Sequence, residues 1–331
     1  MQSITKHAIP IFTCGSFLRV ARTERHCSSK RRISMIRVTI GVVTKNCEDS
    51  IKEAIESVLD QDFPHKLMEM IFVDESNDNT LSVIQNCVSK SDIETRVFHN
   101  ACAKGLGHSR NLVAANAQGE FIVWLDGDMT LPKDFVRRQV AFMENHPSIG
   151  MARARQALEH GNGLLATLEG YSRAAGRMVD YQSEKTRFKA MGTGGAIYRT
   201  RVVTEVNGFD ESISGYGEDW DIEIRARAAG WSLSMTDATY LDYERQGLTW
   251  RRLWSRYWRR GYDTHYFLQK HSGAIKHYTM FPPAALLTGL INARKLYRLK
   301  RESSVFLLPL PYFFKMNAWY LGFMSSHFDS Y

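Results

Sequence analysis

Beginning at Ile36, short β-branched apolar runs alternate with helical patterns four times before Asp126. Residues 36–43 (IRVTIGVV) form a continuous apolar run, as expected of a strand buried on both faces of a parallel sheet. Ser50 can cap a helix whose Ile51, Ala54, Ile55, Val58 and Leu59 fall at helical spacing. Residues 70–73 read as a second strand, with a helix from about Leu81. Residues 94–99 read as a third, with a helix over 109–117, and residues 121–125 (FIVWL) as a fourth that ends in Asp126. This alternation predicts an α/β fold with a Rossmann-like sheet and helices on both faces. Right-handed crossovers put the loops after the strands on one sheet edge, where ligands bind. The polar clusters around Thr44, Asp74 and Asp126 should therefore converge.

Beyond Pro132 the spacing predicts helices over 134–144, 164–180 and 219–229, the last stopped by Gly230. Gly192, Thr193, Gly194 and Gly195 make a loop before strand-like 196–198. The last eighty residues differ in kind. Residues 250–261 (WRRLWSRYWRRG) interleave aromatics with arginines, 281–301 look amphipathic, and 305–324 are strongly apolar. Pro309, Pro311, Lys315 and Asn317 interrupt that apolar segment. An interfacial helix or re-entrant hairpin is therefore expected there in place of a clean membrane span, with a buried core helix as the alternative. The organisation expected is a basic arm over 1–34, disordered or upstream of a start at Met35, a catalytic domain over 35–245, and a basic, aromatic helical extension over 246–331.

Charge follows the same division. Residues 38–244 carry 21 Lys/Arg against 31 Asp/Glu, whereas 1–37 carry 8 against 1 and 245–301 carry 13 against 1. An acidic body with basic ends argues against a nucleic-acid-coating protein and suits anionic substrates or an anionic lipid surface. The five cysteines are odd in number, widely spaced and without a Cys-x-x-Cys pair. They read as reduced thiols in a cytoplasmic protein, which the basic, aromatic C-terminal segment would make peripheral or monotopic at the inner face of the membrane. The 11 histidines are scattered, and no phosphate loop or nucleophile elbow is present.

The most specific local signal is Asp126-Gly127-Asp128 directly after a buried strand. Two carboxylates around a glycine can meet a hard divalent cation, although Asp-Gly is also a common turn. Thr44-Lys45-Asn46 follows the first strand, and Asp74, Ser76, Asp78 and Thr80 follow the second. Lys104-Gly105-Leu106-Gly107 leads into Ser109-Arg110-Asn111. In order and spacing these motifs resemble the family-2 glycosyltransferases of GT-A fold, over about residues 36–260. The resemblance implies an inverting transfer from a nucleoside-diphosphate sugar to a hydroxyl acceptor, with bound Mg²⁺ or Mn²⁺. It implies nucleotide-sugar contacts from Thr44, Asn46, Asp74, Arg110, Asp126 and the Gly194 loop, with Asp128 and Asp126 at the metal. One departure touches Asp74: Asp74-Glu75-Ser76 is a residue shorter than the family's acidic pattern.

Glu218-Asp219 follows Gly215-Tyr216-Gly217 and resembles the family's acidic pair at a helix start. By that resemblance Asp219 is the general base and Glu218 helps hold the acceptor; ordinary helix N-terminal charge is the alternative. Glu223 and Arg227 are spaced as an ion pair. The 250–261 block stands where processive relatives carry Gln-x-x-Arg-Trp, a motif absent here. Its arginines, Arg256 among them, suit either a donor or lipid phosphate or an interfacial helix. The rival enzyme reading is a sugar-phosphate nucleotidyltransferase, which would need a basic, glycine-rich loop after the first strand, where only Lys45 stands. A lipid- or RNA-binding module without catalysis leaves both acidic motifs unexplained. The acceptor, lipid-linked or otherwise, stays open at this level.

Overall fold

A computed structural model describes residues 11–12, 36–100, 104–186, 188–213, 215–242, 247–275 and 281–329. Most of the basic arm therefore lies outside the described residues. Its one described segment is a two-residue strand β1 (Ile11–Phe12). The alternation read from the sequence follows as β2 (Val38–Thr44), α1 (Ile51–Leu59), β3 (Met68–Asp74), α2 (Thr80–Val88), β4 (Glu94–His99), α3 (Leu106–Asn116) and β5 (Phe121–Asp126). Then come β6 (Met129–Thr130), α4 (Phe135–Asn145), β7 (Ile149–Gln156), α5 (Leu164–Arg177), β8 (Ala196–Arg199), α6 (Thr200–Glu205), α7 (Glu218–Ala228) and β9 (Ser232–Asp242). Three long helices close the chain: α8 (Trp250–Lys270), α9 (Pro282–Lys300) and α10 (Pro309–Asp329).

The strands form one mixed sheet in the order β1-β4-β3-β2-β5-β8-β7-β9-β6. β1 to β5 run parallel, and β8 turns antiparallel between β5 and β7. Period-two alternation divides the core into two layers. Met68, Met70 and Phe72 of β3 pack with apolar residues of α1, α2 and α4, while Ile71 and Val73 pack with those of α3, α6 and α7. Each such fully buried side chain contributes about 1.5–3 kcal/mol. The register pairs Val43 with Asp126 and Thr44 with Asp74, so the ends of β2, β3 and β5 are level. That alignment brings the polar clusters to one edge.

Three features depart from the sequence reading. Ser50 precedes α1 but its side chain accepts no cap hydrogen bond; its hydroxyl donates to the Gly127 carbonyl at 2.8 Å and ties α1 to the Asp126-Gly127-Asp128 turn. The sequence reading places no strand over β7 or β9, whose pairings are set by partners distant in the chain. Finally, 305–324 is no hairpin. A 3₁₀ turn (Ser303–Leu307) leads into the single helix α10, which packs along α8, and no described helix is long and apolar enough to cross a membrane.

The prolines that interrupt the apolar pattern stand in the first turn of α10, where a missing N–H costs least. Lys315, the interrupting charge, is buried and donates to Glu169 Oε2 and Ser172 Oγ of α5, both at 2.7 Å. Tyr257 of α8 donates to the other Glu169 oxygen at 2.6 Å. Burial opposes ionisation of Glu169, yet the adjacent Lys315 ammonium holds its carboxyl below the usual range. A buried pair with its hydrogen bonds completed specifies how three helices meet.

The α8–α10 contact depends on two glycines. A methyl on Gly261 would fall on the Trp319 carbonyl, and one on Gly322 on the Trp258 carbonyl. Gly261→Ala is expected to lower unfolding free energy by about 2–3 kcal/mol through overpacking. Urea denaturation measures it, and a loss below about 0.5 kcal/mol, an ordinary surface effect, would refute close packing of these helices.

Candidate functional site

A cavity of about 880 Å³ opens at the edge where β2, β3 and β5 end. Thr44, Asn46, Arg110, Asp126, Asp128, Gly194, Glu218, Asp219 and Arg256 all line it. Those nine residues, dispersed over more than two hundred positions, are brought together by the sheet register and by α8 folding back across the opening.

Asp74 is the exception. It is fully buried beneath the wall, where Oδ1 accepts from Thr44 Oγ1 at 2.8 Å and Ser76 Oγ at 2.6 Å, and Oδ2 lies 3.0 Å from His99 Nδ1. With both oxygens engaged, it orients Thr44 and the following loop. Its neighbour Glu75 lines the cavity and accepts from Ser109 Oγ at 2.6 Å. The shortened acidic motif thus moves the cavity-facing carboxylate by one residue. Asn46 has a left-handed backbone (φ 51°), which asparagine tolerates better than most residues. Its amide donates to Ser76 Oγ, and its side-chain oxygen accepts from the Asn77 amide.

Asp126 and Asp128 stand at the end of β5 with Asp242, the last residue of β9. Burial pushes the Asp126 carboxyl up, and Arg110 acts against it. Asp128 is open to the cavity's own solvent, but the walls strip it of bulk water. That desolvation, with the charges of Asp242 and Asp126, pushes its carboxyl up to about 7. Arg173 Nη2 lies 3.3 Å from Asp242 Oδ1. Among the described residues no three His, Cys, Asp or Glu side chains converge as a complete ligand cage.

The Gly192–Gly195 loop lies between these aspartates and Asp219. A methyl on Gly194 would come within 2.6 Å of Asp126 Oδ2, and one on Gly192 within 3.5 Å of Asp219 Oδ2. The loop is held from below by Glu223, whose two oxygens accept from the Met191 and Gly192 amides, each at 2.7 Å. Burial and the charge of Asp219 push the Glu223 carboxyl up to about 8, while the amides pull the other way. Glu223, spaced for an ion pair with Arg227, thus also fixes the glycine loop.

Arg110 and Glu218 form an ion pair that is buried on both sides. Burial raises the Glu218 carboxyl, Arg110 opposes the rise, and Asp219 adds to it. Glu218 therefore anchors the start of α7 to α3 while lining the cavity. Asp219 is only partly buried; its Oδ1 accepts from the Trp220 amide at 2.8 Å.

α8 has two working faces. Arg252, Arg256, Arg259, Arg260 and Asp263 recur at helical spacing and line the cavity. Trp250, Trp254, Trp258 and Gly261 form the other face; Trp250 and Trp254 meet Phe314 of α10 edge-on at 4.9 and 5.1 Å. Trp250 and Trp254 of the block thus help pack α8 against α10. Arg153, Arg173 and Arg177 add to the arginine wall. Sequence reasoning missed these three, with Asp242, because β7 and β9 carry no motif and α5 reads as an ordinary amphipathic helix.

Residues 39–204 match the profile of the family described as Glycosyl transferase family 2. Staphylococcus aureus poly(ribitol-phosphate) beta-N-acetylglucosaminyltransferase TarS is 30% identical over 115 residues, covering 34% of this chain and 20% of that protein. The chain thus aligns with only a fifth of that relative's length. Among solved structures, the mannosyltransferase PcManGT from Pyrobaculum calidifontis, in complex with GDP-Man and Mn²⁺, superposes with a TM-score of 0.62 at 16% identity, covering 89% of this chain and 88% of that one. S. aureus TarS 1–349 in complex with UDP-GlcNAc gives 0.52 at 17% identity, covering 89% and 92%. Both likenesses are of fold, and both are to GT-A enzymes.

Removing the guanidinium in Arg110→Met would take away the main influence favouring ionised Glu218, so its folded-state carboxyl would rise further. The folded protein then holds a proton that the unfolded chain has released. The stability deficit should therefore grow as pH rises above about 4.3, the unfolded Glu value. We expect a loss of about 3–5 kcal/mol at pH 8 and a smaller one at pH 5, by urea denaturation. An equal deficit at both values would overturn the burial of this pair.

Proposed function

This chain belongs to glycosyl transferase family 2, and we propose that it moves a sugar from a nucleoside-diphosphate donor to a hydroxyl acceptor with inversion. Family membership makes the chain a glycosyltransferase and decides against the nucleotidyltransferase and the non-catalytic module. The observation that carries the finer reading is the division of one cavity by the glycine loop, with Asp126 and Asp128 at one end and Asp219 at the other. The nucleotide-sugar complexes of the two solved relatives support such a donor.

On this reading Thr44, Asn46 and Glu75 border the nucleotide, with Asp74 positioning Thr44 from below. Asp128, with Asp126 beside it, would hold Mg²⁺ or Mn²⁺. Two carboxylates without a full cage suit such ions, which take one or two protein carboxylates and leave positions for substrate phosphates. When bound, the ion supplies positive charge to the leaving diphosphate. Arg256 and its neighbours on α8 meet the same charge through planar, bidentate donors.

An acceptor hydroxyl is a poor nucleophile at neutral pH, so a carboxylate must take its proton as it attacks the anomeric carbon. Inversion requires that carboxylate across the sugar from the leaving group. Asp219 meets both needs: it lines the cavity, lies beyond the glycine loop from Asp126, and stands in the first turn of α7. Gly194 leaves Asp126 and the sugar room that a side chain would fill.

Asp219→Asn keeps the shape and removes the basicity. Turnover should fall on the order of a hundredfold or more with nucleotide affinity nearly unchanged, whereas Asp128→Ala should abolish the Mn²⁺-dependent part of nucleotide binding. Calorimetry with UDP and GDP, beside a transfer assay, separates the two. Full turnover in Asp219→Asn, or unchanged metal-dependent affinity in Asp128→Ala, would move these roles elsewhere.

The apolar outer face of the C-terminal helices supports work at an anionic membrane surface such as the inner leaflet. Leu287 (62% exposed), Leu290 and Ile291 (60%) of α9, Phe306 and Leu307 of the 3₁₀ turn, and Leu310 (62%) of α10 are all exposed. The exposed outward face of α9 then turns basic through Arg294 and Arg298. Apolar side chains inserted shallowly below cationic heads are the pattern of interfacial helices. The double substitution Leu287→Asp with Ile291→Asp should cut flotation with anionic liposomes at least tenfold and leave nucleotide binding intact. Equal flotation of mutant and wild type would refute this attachment.

A further inference from the structure

A second cavity, of about 520 Å³, lies behind the first, between the end of α5, β7 and α9. Its apolar walls come from Ala174, Met178, Val179, Met235 and Leu299, and its charged lining is cationic on balance, with Arg155, Arg177, Lys295 and Arg298 against the one carboxylate of Asp180. Arg177 lines both cavities and forms the partition between them, donating from Nη1 to Gln156 Oε1 and to the Tyr240 hydroxyl, each at 3.2 Å.

The cations here are undercompensated. Lys295 is half-buried, and its ammonium donates to the Met178 carbonyl at 2.9 Å; among the described residues it forms no ion pair with a carboxylate, and neither does Arg298. Burial holds the Lys295 ammonium below its usual range, and nearby Lys189 is held down by burial and then by the charge of Lys295. Two ammoniums that oppose each other in a partly dry place make a positive potential that an anion would relieve. Apolar walls next to it call for a ligand with a hydrocarbon part. Leu299, 56% exposed, belongs to the same helix as the exposed Leu287, Leu290 and Ile291. The cavity therefore reaches the surface at an exposed apolar residue of α9 and shares Arg177 with the transfer cavity.

We propose that this second cavity seats the phosphate and adjoining hydrocarbon of an amphiphilic acceptor, a phosphorylated lipid whose hydroxyl-bearing end reaches the transfer cavity past Arg177. The inference rests on the transferase reading and names the acceptor class for it. The phosphate is met by Lys295 and Arg298, the chain lies on Val179, Met235 and Leu299, and the arginine wall beyond Arg177 receives the polar end.

The test is calorimetric binding to the full chain of three probes: dodecyl phosphate below its micelle concentration, inorganic phosphate, and dodecyl maltoside, which has the chain without the anion. Dodecyl phosphate should bind at least tenfold more tightly than either of the others. Lys295→Ala with Arg298→Ala, and separately Val179→Trp to fill the cavity, should each weaken it at least tenfold while Mn²⁺-dependent UDP or GDP affinity stays at the wild-type value. Equal affinity for inorganic phosphate would make the site one for a free anion, and equal affinity for the maltoside a merely greasy surface; either result, or variants that bind as wild type does, overturns the proposal. A wild-type chain that binds dodecyl phosphate as expected but no nucleotide would instead overturn the transferase reading alone.

Discussion

The buried Arg110–Glu218 pair is the contact on which the cavity depends. Arg110 comes from the first half of the chain, on the helix after β4, and Glu218 opens α7 in the second half. Two charges taken out of water repay their desolvation only in a geometry that satisfies both. The position of α7 is therefore set against α3, and with it Asp219, one residue beyond Glu218. On the next turn of α7, Glu223 holds the Met191 and Gly192 amides. A single ion pair thus fixes the carboxylate at one side of the cavity and, through the helix, the loop at its centre.

The cavity combines opposite fields at short range. Desolvation by the walls, reinforced by the charges of Asp242 and Asp126, pushes the Asp128 carboxyl up to about 7. The opposite wall carries arginines from α5, β7 and α8. Several of them are already engaged: Arg153 with Tyr240 and the Met191 carbonyl, Arg173 with Asp242, and Arg260 stacked over Tyr216 and Tyr257. Guanidiniums fixed in this way need no reorganisation when a phosphate arrives, which is how preorganised charge contributes most.

What the sequence made legible follows from the range of the interactions involved. The parallel core strands could be read because burial on both faces leaves an unbroken apolar run, and nine of the ten candidate residues line one cavity because strand ends must share an edge. Asp74 shows the limit: its type and place suggested a ligand contact, but local hydrogen bonds from Thr44 and Ser76 draw it beneath the wall. Asp242 and Arg153 were invisible because they sit on strands whose pairing is set by distant partners. Lys315 looked like a flaw in a membrane segment, since its partner Glu169 is 146 residues away.

α8 carries its cavity arginines and its α10-packing tryptophans on one uninterrupted helix of 21 residues. An inserted or deleted residue within it would turn everything downstream by about 100°. Downstream arginines would then swing out of the cavity, or the aromatic seam would lift from α10. Side chains of α8 that face neither the cavity nor α10 can be exchanged, but the length of the helix between Arg252 and Gly261 is not open to drift. Changes in chain length are therefore confined to the loops on either side.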